Sequence, residues 1–449
     1  MFSQAILDRY RCPPSILDFS LGGQLSPEKG YFRVGPATVA YGRTTSGVQK
    51  ERPDGSLADV LQGVAVADAR LQLQFDPDEV IDNLRLERYI HSDRSASEKL
   101  LKEIYYRVRP VTSRAFRKQI QRFRARSWQE SVFPHWPVDT TVERICESLL
   151  MLSMRARGLD RVPFVWFWPH SAQCCVTITH DVETTAGRDF CSKLMEIDDA
   201  FGIKASFQIV PEDRYDVPED LLETIRARGF ETAVQDLNHD GRLFDNRELF
   251  LTRVARINSY AKKYSSKGFR AAVLYRNQSW FSNLDFSFDM SVPNVAPLDP
   301  QPGGCCTVMP YFIGKILELP VTTTQDYTLF HLLGQRSIDL WKTQIDLISE
   351  RNGLAQFIVH PDYIQDRDTQ AVYLDLLAHL REWRMKTPIW FALPSEIDSW
   401  WRLRSKMSVT KRGDTWQVEG EGAERASVAI AKIVNDKLVY GVLQSAVAN

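Results

Sequence analysis

The sequence predicts an α/β protein with a parallel sheet or barrel across its middle and C-terminal parts, and three observations carry that prediction. From about Val162 onward, short apolar runs alternate with helical patterns, the texture of repeated β–α units. Gly202 and Gly229 stand where two of those helices should stop, because a residue without a Cβ closes a helix most easily. Ionisable groups recur just after the strand segments, where an α/β sheet or barrel carries its variable loops.

Length and composition set the frame. A chain of 449 residues implies two or more structural units, and an apolar fraction of 44% is enough to bury a large core. The formal net charge of -1 argues against general nucleic-acid binding. The opening segment MFSQAILDRYRCPP lacks the apolar run and cleavage pattern of a signal peptide, and no window approaches the roughly 20 apolar residues of a membrane span. A soluble, cytoplasmic protein is expected. The seven cysteines are odd in number, include the adjacent pairs Cys174-Cys175 and Cys305-Cys306, and show no CxxC spacing. They read as buried or semi-buried free thiols rather than a disulfide framework or thiolate metal site.

In chain order, residues 1–75 read as β-rich. Val64, Val66, Leu71, Leu73 and Phe75 lie near period two, with turns at Gly22-Gly23 and Asp54-Gly55. Residues 76–161 read as a helical connector, with helices from about Ser97 to Arg126 and from Thr141 to Gly158. Between Arg107 and Arg126 there are eight basic side chains and no acidic one. That run is either a solvated face beside acidic neighbours, the preferred reading, or a peripheral contact with anionic lipid or a nucleotide-linked sugar.

Residues 162–403 carry the β–α alternation. Strands are expected at Cys175–Thr179, Ala205–Val210, Glu231–Val234, Phe269–Val273, Ile316–Leu319, Leu354–Val359 and Ile389–Phe391. The helices between them are expected at Phe190–Phe201, Pro218–Arg228, Leu249–Tyr264, Ile338–Glu350 and Thr369–Arg384, with Pro218 and Pro394 as first-turn prolines. Residues 404–449 read as a small β module with a turn at Asn435-Asp436.

The candidate chemistry follows the strands. Thr179-His180-Asp181-Val182-Glu183 ends the first, Gln235-Asp236-Leu237-Asn238-His239-Asp240-Gly241 follows the third, Arg270 lies in the fourth, and His360-Pro361-Asp362 closes the sixth. Any one of these side chains is most simply a satisfied structural group. Delivered together to one rim, they form a candidate site. His180 is evenly balanced between site residue and buried hydrogen-bonded imidazole. His91, His135, His170, His331 and His379 read as structural or surface groups, Trp280 and Trp400-Trp401 as core, and Pro300–Gly304 as a loop bordering the cleft.

In order and spacing these segments resemble the polysaccharide deacetylases of carbohydrate esterase family 4, across roughly residues 162–403. The family's first strand ends in a Thr-Phe-Asp-Asp type motif, or an Asp-x-Asp/Glu variant, matched by Asp181 and Glu183. Its His-x-x-x-His motif reads here as Gln235-x-x-x-His239. Arg270 in Gly268-Phe269-Arg270 matches the third motif, Phe288-Asp289-Met290-Ser291 loosely the fourth, and Phe357-Ile358-Val359-His360 the fifth. The resemblance implies a deformed (β/α) barrel and a metal-assisted hydrolase that removes the N-acetyl group from an N-acetylated saccharide.

The same resemblance implies the residue roles. Asp181 is the catalytic base, Arg270 holds it ionised, and His360 protonates the departing amine. Glu183 and His239 hold a divalent metal, zinc being the expected ion. Gln235, Asp240, Asn277 and Asp326 are candidate substrate contacts. Two features depart from the family: Gln235 stands where its first histidine ligand is expected, and Ala271-Ala272-Val273 follows Arg270 in place of a proline–aromatic pair. A weaker or different metal, a site rewired through Asp181 or Asp240, and no metal at all are the open outcomes. The alternatives to an enzyme are a catalytically silent deacetylase-like module that binds saccharide or a partner enzyme and, more weakly, a membrane-surface scaffold.

Overall fold

The computed structural model describes residues 2–67, 70–90 and 132–443. The expected Ser97–Arg126 helix, its basic Arg107–Arg126 run and His91 lie outside the described residues.

Nine strands form the main sheet, numbered here within it: β1 Cys174–Val182, β2 Ser206–Ile209, β3 Glu231–Gln235, β4 Gly268–Arg270, β5 Phe288–Asp289, β6 Tyr311–Ile313, β7 Ile316–Glu318, β8 Leu354–Val359 and β9 Ile389–Phe391. Their spatial order is β6-β7-β5-β4-β3-β2-β1-β8, with β9 pairing the opening residues of β1, Cys174–Val176. Every pairing is parallel except the β6–β7 hairpin. Helices α1 Thr185–Ala200, α2 Glu219–Ala227, α3 Arg247–Lys263, α4 Asp339–Ser349 and α5 Arg367–Lys386 supply crossovers that parallel strands require, and α6 Pro394–Arg404 follows the last strand, β9. β5 and β6 were not anticipated: two or three paired residues are too short to show a period. The expected fourth strand runs to Val273, but pairing stops at Arg270 and Ala272–Leu274 turns as a 3-10 segment in which Val273 has φ 57°. Pro218 caps α2 from one residue outside it, whereas Pro394 is the first residue of α6.

The sheet curls into a deformed barrel that is closed by side chains instead of a ladder. Between β7 and β8 the segment 322–326 runs alongside β8. Thr322 Oγ1 donates to Leu354 O at 2.7 Å and accepts from Gln356 N at 2.9 Å. Thr323 Oγ1 donates to Gln356 O at 2.7 Å, and Asp326 Oδ2 accepts from His360 N at 2.7 Å. These bonds satisfy the β8 groups that a neighbouring strand would otherwise pair.

β1 runs through the centre of this sheet and is buried along its whole length. Its alternation sorts chemistry from packing. Val176, Ile178 and Val182 join the core beneath the helices, with Leu194 and Met195 of α1 and Leu376 of α5. His180 lies on that face too: its Nε2 meets Asp198 at 2.9 Å, and Tyr373 bonds the same carboxylate. Thr179 and Asp181 alternate to the barrel interior. His180 is therefore a buried structural imidazole.

The flanking regions form smaller sheets. Residues 1–75 contain a helix at Gln4–Tyr10 beside the expected strands, and Pro77–Arg85 and Thr141–Ala156 are two further described helices before the barrel. Arg161–Val165 pairs with the hairpin Val428–Val434/Lys437–Val442, which turns through Asn435 and Asp436 at φ 49° and 57°. The Tyr10 and Tyr440 hydroxyls bond at 2.7 Å, tying the N-terminal helix to that hairpin. Arg276 bonds Glu87 through Nε at 2.6 Å and again through Nη2, joining the N-terminal part to the barrel. All seven cysteines are buried and free. Among the described residues no helix is long and apolar enough to cross a membrane.

Candidate active site

At the C-terminal rim of β1, β3, β4 and β8, six of the anticipated side chains meet. Arg270 Nη1 donates to Asp181 Oδ1 at 2.9 Å inside the barrel, with Arg270 fully buried. The Gln356 amide, oriented so that both its ends are satisfied, accepts from Arg270 Nη2 at 2.9 Å and donates to Leu319 O. Asp181 Oδ2 accepts from Gln235 Nε2 at 3.1 Å. Glu183, one residue past the end of β1, has Oε1 at 2.7 Å from His239 Nε2 and 3.4 Å from His360 Nε2. The loop after β3 that delivers His239 is fixed at its base by a bond from Asp236 N to Arg270 O at 2.8 Å. His239 itself takes φ 55°, an uncommon conformation for a residue with a Cβ and of the kind that clusters at functional sites.

The charges lean on one another. Burial pushes the Asp181 carboxyl above its ordinary value, while Arg270, His360 and His239 pull it down. Burial acts on Glu183 in the same sense, but His239 and His360 overcome it and hold the carboxylate well below the usual range. Burial disfavours charge on His360, yet Asp326 and Glu183 raise its imidazole well above the ordinary value. His239 is raised on the same grounds, chiefly by Glu183. The arrangement can therefore hold a carboxylate and an imidazolium side by side, the pairing that acid–base hydrolysis of an amide requires.

The remaining anticipated residues fall differently. Asp326 sits behind His360, with Oδ1 at 2.6 Å from Nδ1 and Oδ2 on the His360 main-chain N–H, so both its carboxylate oxygens are engaged by that residue. Asp240 forms a two-pronged pair with Arg253, at 2.7 and 2.6 Å. Asn277 accepts from Ser279. Among the described residues no bond ties Asp240 or Asn277 to the cluster. The sequence reading did not single out Asp362, whose buried Oδ1 makes no hydrogen bond, or Tyr363, whose ring lies 4.7 Å from that of His360. Their signal was position: both follow His360 within three residues. Asp289 lies deeper, paired across the sheet with Glu318.

The donor atoms decide whether a divalent cation suits this centre. Ligand atoms of Asp181, Glu183 and His360 lie within 4.8 Å of one another. His239 Nε2 is 2.7 Å from Glu183 Oε1 at an angle that makes no hydrogen bond, as expected of two groups aimed at a common point. Hard oxygens with imidazole nitrogens are a zinc-type donor set. Gln235 turns Nε2 toward both carboxylates and leaves Oε1 without a partner. A half-turn of that amide would present an oxygen instead. The residues fit a divalent cation, with Gln235 as a weak, neutral donor.

No family model and no curated protein matches the chain. Several solved structures resemble its barrel. One is a protein from Mycobacterium smegmatis described as a polysaccharide deacetylase, at 17% identity and a TM-score of 0.44, over 56% of this chain and 98% of that one. A peptidoglycan deacetylase from Bacillus subtilis aligns at 10% identity and a TM-score of 0.34, over 52% and 93% of the two chains. A family 4 acetyl xylan esterase from Clostridium thermocellum, solved with a cobalt ion, aligns at 15% and 0.34, over 50% and 91%.

Proposed function

We propose that this protein is a carbohydrate N-deacetylase: a metal-assisted hydrolase that removes the acetyl group from an N-acetylated sugar in glycan or glycoconjugate metabolism. One observation carries the reading. Asp181 is clamped by Arg270 at 2.9 Å in the same cluster as His360, an imidazole clamped by Asp326 at 2.6 Å. A buried base and a buried acid, each held by an opposite charge, are what an amide needs if water is to enter as amine leaves.

Both proton transfers use this chain's own residues. Asp181 takes a proton from the attacking water as its oxygen bonds the acyl carbon. Arg270 keeps Asp181 aimed and favours its charged form. His360 Nε2 gives a proton to the sugar nitrogen as the C–N bond breaks, and Asp326 on Nδ1 fixes which nitrogen faces the reaction. A divalent cation held by Glu183 and His239, with Asp181 beside them, would supply Lewis-acid polarisation of the carbonyl and the water.

The division of the chain at residues 75, 161 and 403 belongs to the same proposal, supported by a main sheet that begins at Cys174 and ends at Phe391. A cytoplasmic setting is supported by seven free cysteines.

A second reading has one observation in its favour. Gln235 donates to both Asp181 and Glu183, and an amide N–H between two carboxylates serves a silent saccharide-binding module as well as an enzyme. Metal content of the purified protein, measured beside acetate release from a panel of N-acetylhexosamine substrates, separates the two. About one divalent ion per chain with acetate release supports the deacetylase; glycan binding with neither supports the silent module.

A further inference from the structure

The cluster at the rim opens to solvent on its Glu183 side. The Glu183 side chain is 16% exposed, against 5% for Asp181, His239 and His360. The loop that follows β2 comes to that side and is fixed there by two consecutive side chains. Tyr215 Oη donates to Val182 O at 2.6 Å and accepts from Val210 N at 3.0 Å. Arg214 Nε donates to Glu183 O at 2.9 Å. A further bond, from Glu212 N to Leu237 O at 3.0 Å, ties the same loop to the one that delivers His239.

Arg214 is exposed and stands at the mouth of the site. Its charge reaches the centre, where it opposes protonation of His239. The acids around it are drawn to other donors: Glu212 to Arg256, Asp240 to Arg253, Asp189 to Arg188 and Asp213 to Asn238. With Nε on the Glu183 carbonyl, the two Nη groups remain as a flat fork, the shape that carboxylate and phosphate oxygens match. A guanidinium already fixed at its base loses less freedom when it takes up such a group.

We propose that Arg214 binds an oxyanion of the substrate, a carboxylate or a phosphate group carried beside the acetamide that the centre hydrolyses. That the anion belongs to an N-acetylated sugar rests on the deacetylase reading; the preference for negative charge rests on Arg214. The preferred substrate class is then an acidic N-acetylated saccharide and not a neutral one.

Isothermal titration near neutral pH tests this with three probes: N-acetylglucosamine, its 1-phosphate, and N-acetylmuramic acid, which carries a carboxylate. The wild type should bind at least one of the two acidic sugars about tenfold or more tightly than the neutral one, and added salt should shrink that margin. The acidic sugar that gains identifies the anion as phosphate or carboxylate. Arg214→Gln should erase the margin while melting as a folded protein, and Arg214→Lys should keep part of it. Binding of no probe, no margin over the neutral sugar, a margin that survives Arg214→Gln, or a loss shared equally by all three probes overturns the proposal. Acetate release scores the reaction centre separately: release without a charge preference sinks the Arg214 role alone, and a preference without release sinks the deacetylase reading alone.

Discussion

Both carboxylate oxygens of Asp326 are engaged by one residue, His360: Oδ2 accepts from its main-chain N–H at 2.7 Å, and Oδ1 meets its Nδ1 at 2.6 Å. Ring and backbone are thus fixed together, and Nε2 is turned toward Glu183, 3.4 Å away. Asp326→Asn should preserve the shape and present an amide N–H to Nδ1, favouring the wrong tautomer. Steady-state kinetics of acetate release should show kcat lower by on the order of 10²–10⁴ with KM little changed. A kcat within about twofold of the wild type would remove His360 from the acid role.

The Arg270–Asp181 pair makes a stability prediction. Both partners are buried, so Arg270→Met leaves a carboxylate without its cation in a low-dielectric interior. Urea unfolding at neutral pH should show a loss of about 3–5 kcal/mol, because Asp181 must either protonate or stay charged and unpaired. A cost below about 1 kcal/mol would mean that the Gln235 amide carries the charge unaided.

Below the rim, Asp289 and Glu318 are fully buried and paired across β5 and β7. Burial pushes both carboxyls up, and Asp289 pushes Glu318 further. Folded, each holds its proton more tightly than in the unfolded chain. Each therefore costs stability as pH climbs from the unfolded carboxylate value of about 4 toward the raised folded value. Glu318→Gln should melt higher than the wild type at pH 8, by the equivalent of about 1–3 kcal/mol. The gap should close below pH 4. A gap independent of pH would show that the pair is not the origin.

Much of this arrangement was legible in the sequence because β1 and β8 are long enough for alternation to show, and because the clustered ionisable groups follow strand ends. Asp181, Glu183, His239, Arg270 and His360 were found that way. Asp326 was located, but its contact with His360, 34 positions away, was not legible, because it lies across a segment with no strand period of its own. The side-chain closure at Thr322 and Thr323 was hidden for the same reason, since single threonines bonding a strand leave no periodic mark. β5 escaped because its pairing covers two residues. The pairing of Arg161–Val165 with the C-terminal hairpin joins segments more than 260 positions apart, beyond any local pattern.

Gln235 makes the metal prediction. In the proposed site Gln235 stands where a histidine ligand is expected, and an amide oxygen is the weaker donor. Gln235→His should raise zinc retention after dialysis about tenfold or more over the wild type, read by metal analysis. Equal retention would mean that the cation is held without that position, through Asp181, Glu183 and the histidines alone.

Acetate release by the wild type and by Asp181→Asn, on whichever N-acetylhexosamine conjugate the wild type accepts, tests the central claim most directly. Asparagine keeps the shape and the contact with Arg270 but cannot take the proton of water. The account predicts a fall in kcat of about 10²-fold or more in a protein that remains folded. Asp181→Asn turning over at the wild-type rate would contradict it.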